Sequence, residues 1–525
     1  MPPLSTSSGW AKTPLQKSNA LGTHFSKTFK PHDDLPPEAE ISDFLDAPLP
    51  VDLPIKPTSP TELKYFIMKL PSNKSPGLDR ITNKILKELT NKSRAFLASL
   101  FNSMFRLNYF PEIWKLAIIH PVHKDNKPRN LPESYRPISL LPVLSKLFEK
   151  VLLKRILFEN PNLLPDHQFG FRFKHSTIEQ IHRVIDKITQ TLEEKKYCAT
   201  VFLDVKSAFD RLWHIGLLYK IEKLIPKFYL ILNSYLCDRK FMVRQDGQLS
   251  TIFDIKAGVP QGSILGPTLF TLYASDIPTT DETVIATYAD DTNYTETDKD
   301  PRVVSENLQE ALNALEVWGN KWKVKFGPEK SIHTIFTLNK ETCPFVTMEN
   351  KKVPMKPYSK LLGLTLDAKL NWRKHILNKR AQLDYLFYKF HWLLGKHSKL
   401  SVESKLLVYK TIIRPVWSYG CQLWCTSPKS TIKIIQVAQN KFLRLILGCH
   451  IYCYVDIMHK TLQIDTVEQY VKKMCQNYAK RLFNHPNHLA LNLLDNSMTV
   501  RRLRRAHIHD FLDEDEATSS SENEN

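Results

Sequence analysis

The sequence predicts an α+β chain: a mixed central sheet flanked by helices, then an α-helical C-terminal block. Three observations carry this. Two apolar, β-prone runs, "CATVFLDV" and "VIATYADD", each reach an aspartate at their end. Elsewhere apolar residues recur at helical spacing, as in "SKLFEKVLLKRILFEN". From about residue 373 to 500 the pattern is almost wholly helical.

Taken in order, residues 1 to about 55 are rich in Pro, Ser and Thr and show little periodicity, so they are predicted to be an irregular lead-in. "SPTELKYFIMKL" begins an amphipathic helix with Ser59 or Thr61 as its cap. "KSPGLDRITNKIL" gives a turn at Pro76-Gly77 and a helix start at Asp79. "WKLAIIHPVHK" and "YRPISLLP" are short β-prone runs. The run from Ala199 to Val205 is predicted to be a buried strand, after which the chain turns helical. "FMVRQDGQLSTIFDI" reads as a hairpin through Asp246-Gly247. "ILGPTLFTLYASDI" is a helix with its proline in the first turn or two. In "VVSENLQEALNALEVWGNKW", Val304, Leu308, Leu312, Leu315 and Trp318 share one face. No internal repeat is found.

Of the 525 residues, 42% are hydrophobic, enough to bury a sizeable core in a multi-lobed molecule. The formal net charge of +19 calls for a polyanionic partner, a nucleic acid or an acidic membrane surface. No run long enough to span a bilayer and no signal peptide is found, which favours nucleic acid. Eight cysteines in so long a chain make no disulfide framework, so an intracellular, reducing location is expected. The charge is uneven: Asp510, Asp513, Glu514, Asp515, Glu516, Glu522 and Glu524 make the end acidic, and residues 501–525 are predicted to be a basic-then-acidic disordered tail.

The carboxylates are the chemistry-bearing feature. Adjacent aspartates are commonly solvated turn residues. Here Asp290 and Asp291 follow one buried run and Asp204 ends another, so an oxygen-only cluster is expected. Hard divalent cations take such ligands, and Mg²⁺ takes few protein carboxylates together with substrate phosphates. Two such ions about 3.5–4 Å apart clamp the attacking and leaving oxygens of a phosphoryl transfer.

Taken with "FLDVKSAFD" and "AGVPQGSILGPTLF", "YADD" resembles the reverse transcriptases of non-LTR retrotransposons, the jockey-like mobile elements in particular. "KSPGLDRI", "WKLAIIHPVHK", "SYRPISLLPVLSKLFEK", "HQFGFRFKHST", "FGPEKS", "YSKLLGLTLDAKLNW" and "RPVWSYGCQLW" follow the family's order across roughly residues 60 to 450. The resemblance implies a right-hand polymerase fold with fingers (56–185), a palm with a mixed or antiparallel sheet (186–360), and a primer grip, α-helical thumb and helical C-terminal region (361–500). It implies RNA-directed DNA synthesis with two Mg²⁺ ions, Mn²⁺ being a possible substitute. The implied partners are an RNA template, a DNA primer or target and dNTPs, in nucleus and cytoplasm, with no membrane; the oligomeric state is left open. Residue by residue, Asp204, Asp290 and Asp291 match the family's metal-binding acids. Phe209 matches the bulky residue that excludes a 2′-hydroxyl, and is otherwise a core aromatic. Gln261 and Gly262 match the segment beside the incoming nucleotide, and Lys124 and Arg136 the finger residues that hold its triphosphate. Lys330 is a candidate general acid for the leaving pyrophosphate. Leu362 and Gly363 match the turn that grips the primer, and are otherwise an ordinary hairpin.

Some features depart from the family pattern. Phe173-Lys174 stands where a small residue is common, and Ser207 where Ala is usual. Cys421, Cys425, Cys449 and Cys453, with His450 adjacent, have a spacing tolerable for zinc, or are buried thiols on helices. The stretch before the fingers resembles a remnant linker to a missing endonuclease, and no ribonuclease H carboxylate cluster is expected after the helical block. An RNA-dependent RNA polymerase is disfavoured because Phe209, not an acid, lies five residues past Asp204. The remaining alternative is a catalytically silent or domesticated nucleic-acid-binding protein.

Overall fold

The structure, a computed structural model, describes residues 1–7, 9–33, 35–49, 54–280, 283–495 and 501–511. The chain divides into two compact units. The first comprises 1–171, 205–278 and 314–326, and the second 172–204, 279–313 and 327–525.

Among its described residues the first unit builds a five-stranded mixed sheet. Tyr135–Leu140 runs antiparallel to Leu116–His123, which pairs in parallel with Lys240–Gln245; the short strands Gln248–Leu249 and Phe253–Asp254 complete it. The predicted hairpin is present: Asp246 at φ 47° and Gly247 at φ 83° form its two-residue turn. The parallel register sets Ala117 beside Phe241 and Ile119 beside Val243. That face is covered by the helix Pro14–Thr28 through Leu21 and Phe25. A second core gathers Phe101, Phe110, Trp114, Phe148 and Tyr235.

The helix Pro14–Thr28 corrects the expectation of an irregular lead-in. Leu4–Thr6 and Gly9–Ala11 pair as a hairpin, and Thr13 and Gln16 then form a capping box with Pro14 at the helix start. The Ser, Thr and Pro residues taken as signs of irregularity include the helix's own start signals. Two further expectations change. The helix expected at Asp79 begins at Asn83, because the Asp79 carboxylate accepts the Ile81 N–H in a turn of its own. The strand expected to reach Val205 ends at Leu203, and the helix that follows, His214–Leu224, comes after turns and a loop. Ser59 caps Pro60–Met68 as predicted, accepting the Glu62 N–H.

Among the described residues of the second unit, four antiparallel strands lie in the order Ile332–Phe336, Tyr197–Leu203, Asp291–Asp298, Val284–Tyr288. Tyr197–Leu203 is buried along its whole length, as its unbroken apolar run requires. The helix Thr177–Glu193 starts on a Ser176–Glu179 capping box, and Gln180 Nε2 donates to the Thr287 carbonyl at 2.8 Å. Helices Arg373–Leu394, Lys429–Leu447 and Val467–Phe483 dominate the C-terminal block. On the predicted face of Pro301–Lys321, which runs through both units, Val304, Leu308, Leu312 and Leu315 are buried.

The disordered tail expected from residue 501 is corrected as far as Phe511. Glu193 accepts the Arg502 and Leu503 N–H groups at 2.7 Å each and lies 2.8 Å from His507 Nε2. A buried carboxylate thus finds its partners in a segment too short and polar to show periodicity. The acidic run Asp513 to Glu524 lies outside the described residues.

Candidate active site

The predicted residues fall in both units. Asp204, Asp290, Asp291, Lys330, Leu362 and Gly363 belong to the second; Lys124, Arg136, Phe209, Gln261 and Gly262 belong to the first.

In the second unit strand register brings the carboxylates together. The ladder between Tyr197–Leu203 and Asp291–Asp298 ends at the pair Leu203–Thr292. One step further places Asp204 opposite Asp291. Asp291 pairs with Tyr288 across the turn Ala289-Asp290, and Ala289 takes φ 58°, a conformation that side-chain-bearing residues seldom adopt. Crowding by the protein, then the neighbouring charges of Asp290 and Asp204, push the Asp291 carboxyl up to about 6. Asp291 still meets solvent because it lines an open cleft of about 390 Å³. The cleft is shared by Asp204, Lys330, Leu362 and Gly363.

The "FGPEKS" segment locks Asp204. Gly327 N–H donates to its carbonyl at 2.8 Å, and its own N–H donates to Ser331 Oγ at 3.2 Å. Lys330 Nζ lies 3.6 Å from Asp204 Oδ2. Leu362 and Gly363 form the two-residue turn between Tyr358–Leu361 and Leu364–Asp367.

Among the described residues, no three His, Cys, Asp or Glu side chains are grouped closely enough to hold a metal ion by themselves. For Mg²⁺ this is no obstacle, since one or two carboxylates with water and phosphate oxygens suffice. The donor set fits a hard cation: the donors are oxygen only, and the charges of Asp290 and Asp204 add to burial in raising Asp291. It does not extend to zinc at the cysteines. Cys421 and Cys425 are buried thiols near Cys475, whereas Cys449 lies beside Cys453 instead.

In the first unit, two loops are laced together by their backbones. Val259 N–H donates to the Phe209 carbonyl at 2.9 Å and Gly258 N–H to that of Leu212 at 2.7 Å. Phe209 is half-buried, its ring stacked on Phe270 at 4.5 Å. Gln261 Nε2 donates to Asp210 Oδ1 at 2.7 Å. Burial pushes the Asp210 carboxyl up to about 6. Gly262 sits at φ 127°, and a Cβ there would lie 2.5 Å from the Ser139 carbonyl oxygen. Ser139 N–H in turn donates to the Gln261 carbonyl at 2.8 Å. Lys124 follows the strand Leu116–His123, its ammonium donating to the Glu133 carbonyl at 2.9 Å. Exposed Arg136 pairs with Val122 across the same hairpin, two residues from Lys124 and so on its face.

Sequence reasoning assigned no site role to Asp210, Glu149 or Tyr419. Glu149 is fully buried and accepts the Ile264 and Leu265 N–H groups at 2.7 and 3.1 Å, fixing the chain just after Gly262. The available signal was a lone glutamate among the apolar residues of "SKLFEKVLL".

The sequence is similar to that of known proteins. The family model for reverse transcriptase (RNA-dependent DNA polymerase) matches residues 122–386. The chain is 40% identical over 521 residues to the probable RNA-directed DNA polymerase from transposon X-element of Drosophila melanogaster, covering 97% of this chain and 57% of that protein. It is 36% identical over 526 residues to the RNA-directed DNA polymerase from mobile element jockey of the same species, covering 96% and 57%. For the probable enzyme from transposon BS, also of that species, the figures are 38% over 511 residues, covering 94% and 56%. The chain thus spans a little over half the length of these relatives. The chain belongs to the reverse transcriptase family, and its similarity runs to the polymerases of the non-LTR elements jockey, X-element and BS.

Proposed function

We propose that this chain is an RNA-directed DNA polymerase, adding dNTPs to a primer 3′-hydroxyl on an RNA template. The observation that carries this is the strand register, ending at Leu203–Thr292, that brings Asp204 and Asp291 into one cleft with Lys330 and the 362–363 turn. The 3′-hydroxyl attacks the α-phosphate, a P–O bond forms, and pyrophosphate leaves with the bridging oxygen. Two Mg²⁺ ions held by Asp204, Asp290 and Asp291 would supply Lewis acidity to the attacking and leaving oxygens.

The remaining roles follow from chemistry. Lys124 and Arg136, on one face of a hairpin, hold triphosphate oxygens. Phe209 bounds the space beside the sugar. Gln261, oriented by Asp210, borders the nucleotide, and Gly262 lets the backbone come close. Lys330 places a cation near the departing pyrophosphate. Leu362 and Gly363 seat the primer end. In this reading residues 56–185 are fingers, 186–360 palm and 361–500 primer grip, thumb and helical C-terminal region. Template and target place the work in cytoplasm and nucleus. The free state of all eight cysteines suits those compartments, and no helix among the described residues is long and apolar enough to cross a membrane.

The test is primer extension by the purified chain on a homopolymer RNA template with Mg²⁺ and the complementary dNTP. Template-dependent extension that is lost with chelator is expected. Tight RNA binding without extension would instead make the chain a silent nucleic-acid binder.

A further inference from the structure

Tyr419 lies in "RPVWSYGCQLW", between the short helices Arg414–Ser418 and Cys421–Trp424. Its hydroxyl donates to the Leu362 carbonyl at 2.6 Å. The same oxygen lies 2.9 Å from Thr177 Oγ1, on the first residue of the helix Thr177–Glu193. A tyrosine has one hydroxyl proton, so with that proton given to Leu362 the threonine is the donor in the second bond. The ring covers Gly363, where a Cβ would lie 3.1 Å from it.

Both turn residues have left-handed backbones, Leu362 at φ 44° and Gly363 at φ 91°. Leucine in that conformation persists where its surroundings hold it. Here a hydroxyl holds its carbonyl and a ring covers the next residue. The turn is also one wall of the cleft that contains Asp204, Asp291 and Lys330. One side chain thus ties three segments: the turn, the start of a helix packed on the carboxylate sheet, and the junction that carries Tyr419 itself.

The geometry points to Tyr419 as a positioning residue that sets the place of the 362–363 turn relative to the carboxylates, and through it the seat of the primer 3′ end. This rests on reading that turn as the primer grip. Thr177 acts through the same hydroxyl. Neither side chain need touch a nucleotide.

The test uses the full chain with Tyr419→Phe, which removes one oxygen and keeps the ring, and Thr177→Val. Primer–template affinity is read by fluorescence anisotropy with a dideoxy-terminated primer, and KM for dNTP, kcat and melting temperature are measured alongside. Tyr419→Phe should weaken primer–template binding about five- to tenfold, the loss of one hydrogen bond. KM for dNTP should stay within about twofold, since the Tyr419 hydroxyl is bonded to the 362–363 turn and to Thr177. Thr177→Val should act in the same direction and less. The double variant should be no worse than Tyr419→Phe alone, because both act through one hydroxyl. A lower melting temperature with unchanged primer affinity would reduce Tyr419 to packing and overturn the inference; so would additive losses in the double variant. If Tyr419→Phe fails to fold, Thr177→Val decides, and unchanged primer affinity there overturns it. Absence of extension by the unsubstituted chain counts against the polymerase reading instead, and the anisotropy measurement still tests Tyr419.

Discussion

The acidic hairpin around Ala289–Asp291 and the laced loops around Phe209 and Gln261 are held in opposite ways. The loops are tied by backbone hydrogen bonds from Val259, Gly258 and Ser139, and a buried Glu149 carboxylate fixes the chain just beyond Gly262. In the acidic hairpin, burial and then the charges of Asp290 and Asp204 raise the Asp291 carboxyl, on a turn with Ala289 at positive φ. One region is stabilised by its own bonds. The other gathers carboxylates at the edge of an open cleft, with Lys330 beside Asp204. Substitutions should therefore separate: loss of an acid removes chemistry and leaves the fold, whereas disturbance of a loop costs stability as well.

The largest expected effect is at the acids. Asp204→Ala and Asp290→Ala should each lower single-turnover extension by about a thousandfold or more. Binding of RNA, measured by anisotropy, should stay near the unsubstituted value, and the melting temperature should not fall. The Lys330–Asp204 ion pair is exposed and contributes little to stability. A cooperative loss of stability in either variant would break the contrast between the regions.

Gly262→Ala should do the reverse. The new methyl would meet the Ser139 carbonyl at a backbone angle that disfavours any side chain, at a cost of about 2 kcal/mol or more. Denaturant midpoint and KM for dNTP should both worsen, while Mg²⁺ dependence is unchanged. An unaltered midpoint would show that this loop is not the tightly held one.

Phe209→Val sharpens the comparison, because its ring both stacks on Phe270 and is half-exposed. Truncation should lose about 2 kcal/mol of packing. If the exposed edge also limits the sugar, the ratio of kcat/KM for ribonucleotide over deoxynucleotide should rise by tenfold or more. Lost stability with unchanged selectivity leaves Phe209 a core residue.

The same contrast explains what could be read from sequence. Buried strands ending in aspartate were legible because an unbroken apolar run implies burial on both faces. The Asp246-Gly247 turn was legible because its residue types fit positive φ. Register was not: nothing in "FLDV" and "YADD" says that Asp204 and Asp291 end opposite each other. The ties that hold the loops were not legible either. Glu149 lies in a helix where glutamate ordinarily faces water, and Asp210 follows Phe209 like any turn acid. The N-terminal helix was missed because Thr13 and Pro14, its start signals, are also loop residues.

The smallest effect is the stability of Asp291→Asn, and its sign is opposite to that of ordinary damage. The carboxyl titrates at 3.8 in the unfolded chain and at about 6 in the fold, raised by crowding and by Asp290 and Asp204. Below the lower value it is protonated in both states and costs nothing. Between the two values the folded state keeps a proton that the unfolded state releases, so stability falls as pH rises. Above about 6 the cost is complete and constant. Asparagine carries no charge, so Asp291→Asn should match the unsubstituted protein near pH 4 and be slightly more stable at pH 7.5. The gain should be a fraction of a kcal/mol, because the side chain is exposed and its repulsion is screened. Mg²⁺ should reverse the order. It needs the ionised carboxylate, so it should raise the melting temperature of the unsubstituted protein more at pH 7.5 than at pH 5, and raise that of Asp291→Asn less at both. Equal stabilisation by Mg²⁺ at the two pH values, or in the two proteins, would show that the repulsion at Asp291 is not relieved by a bound cation.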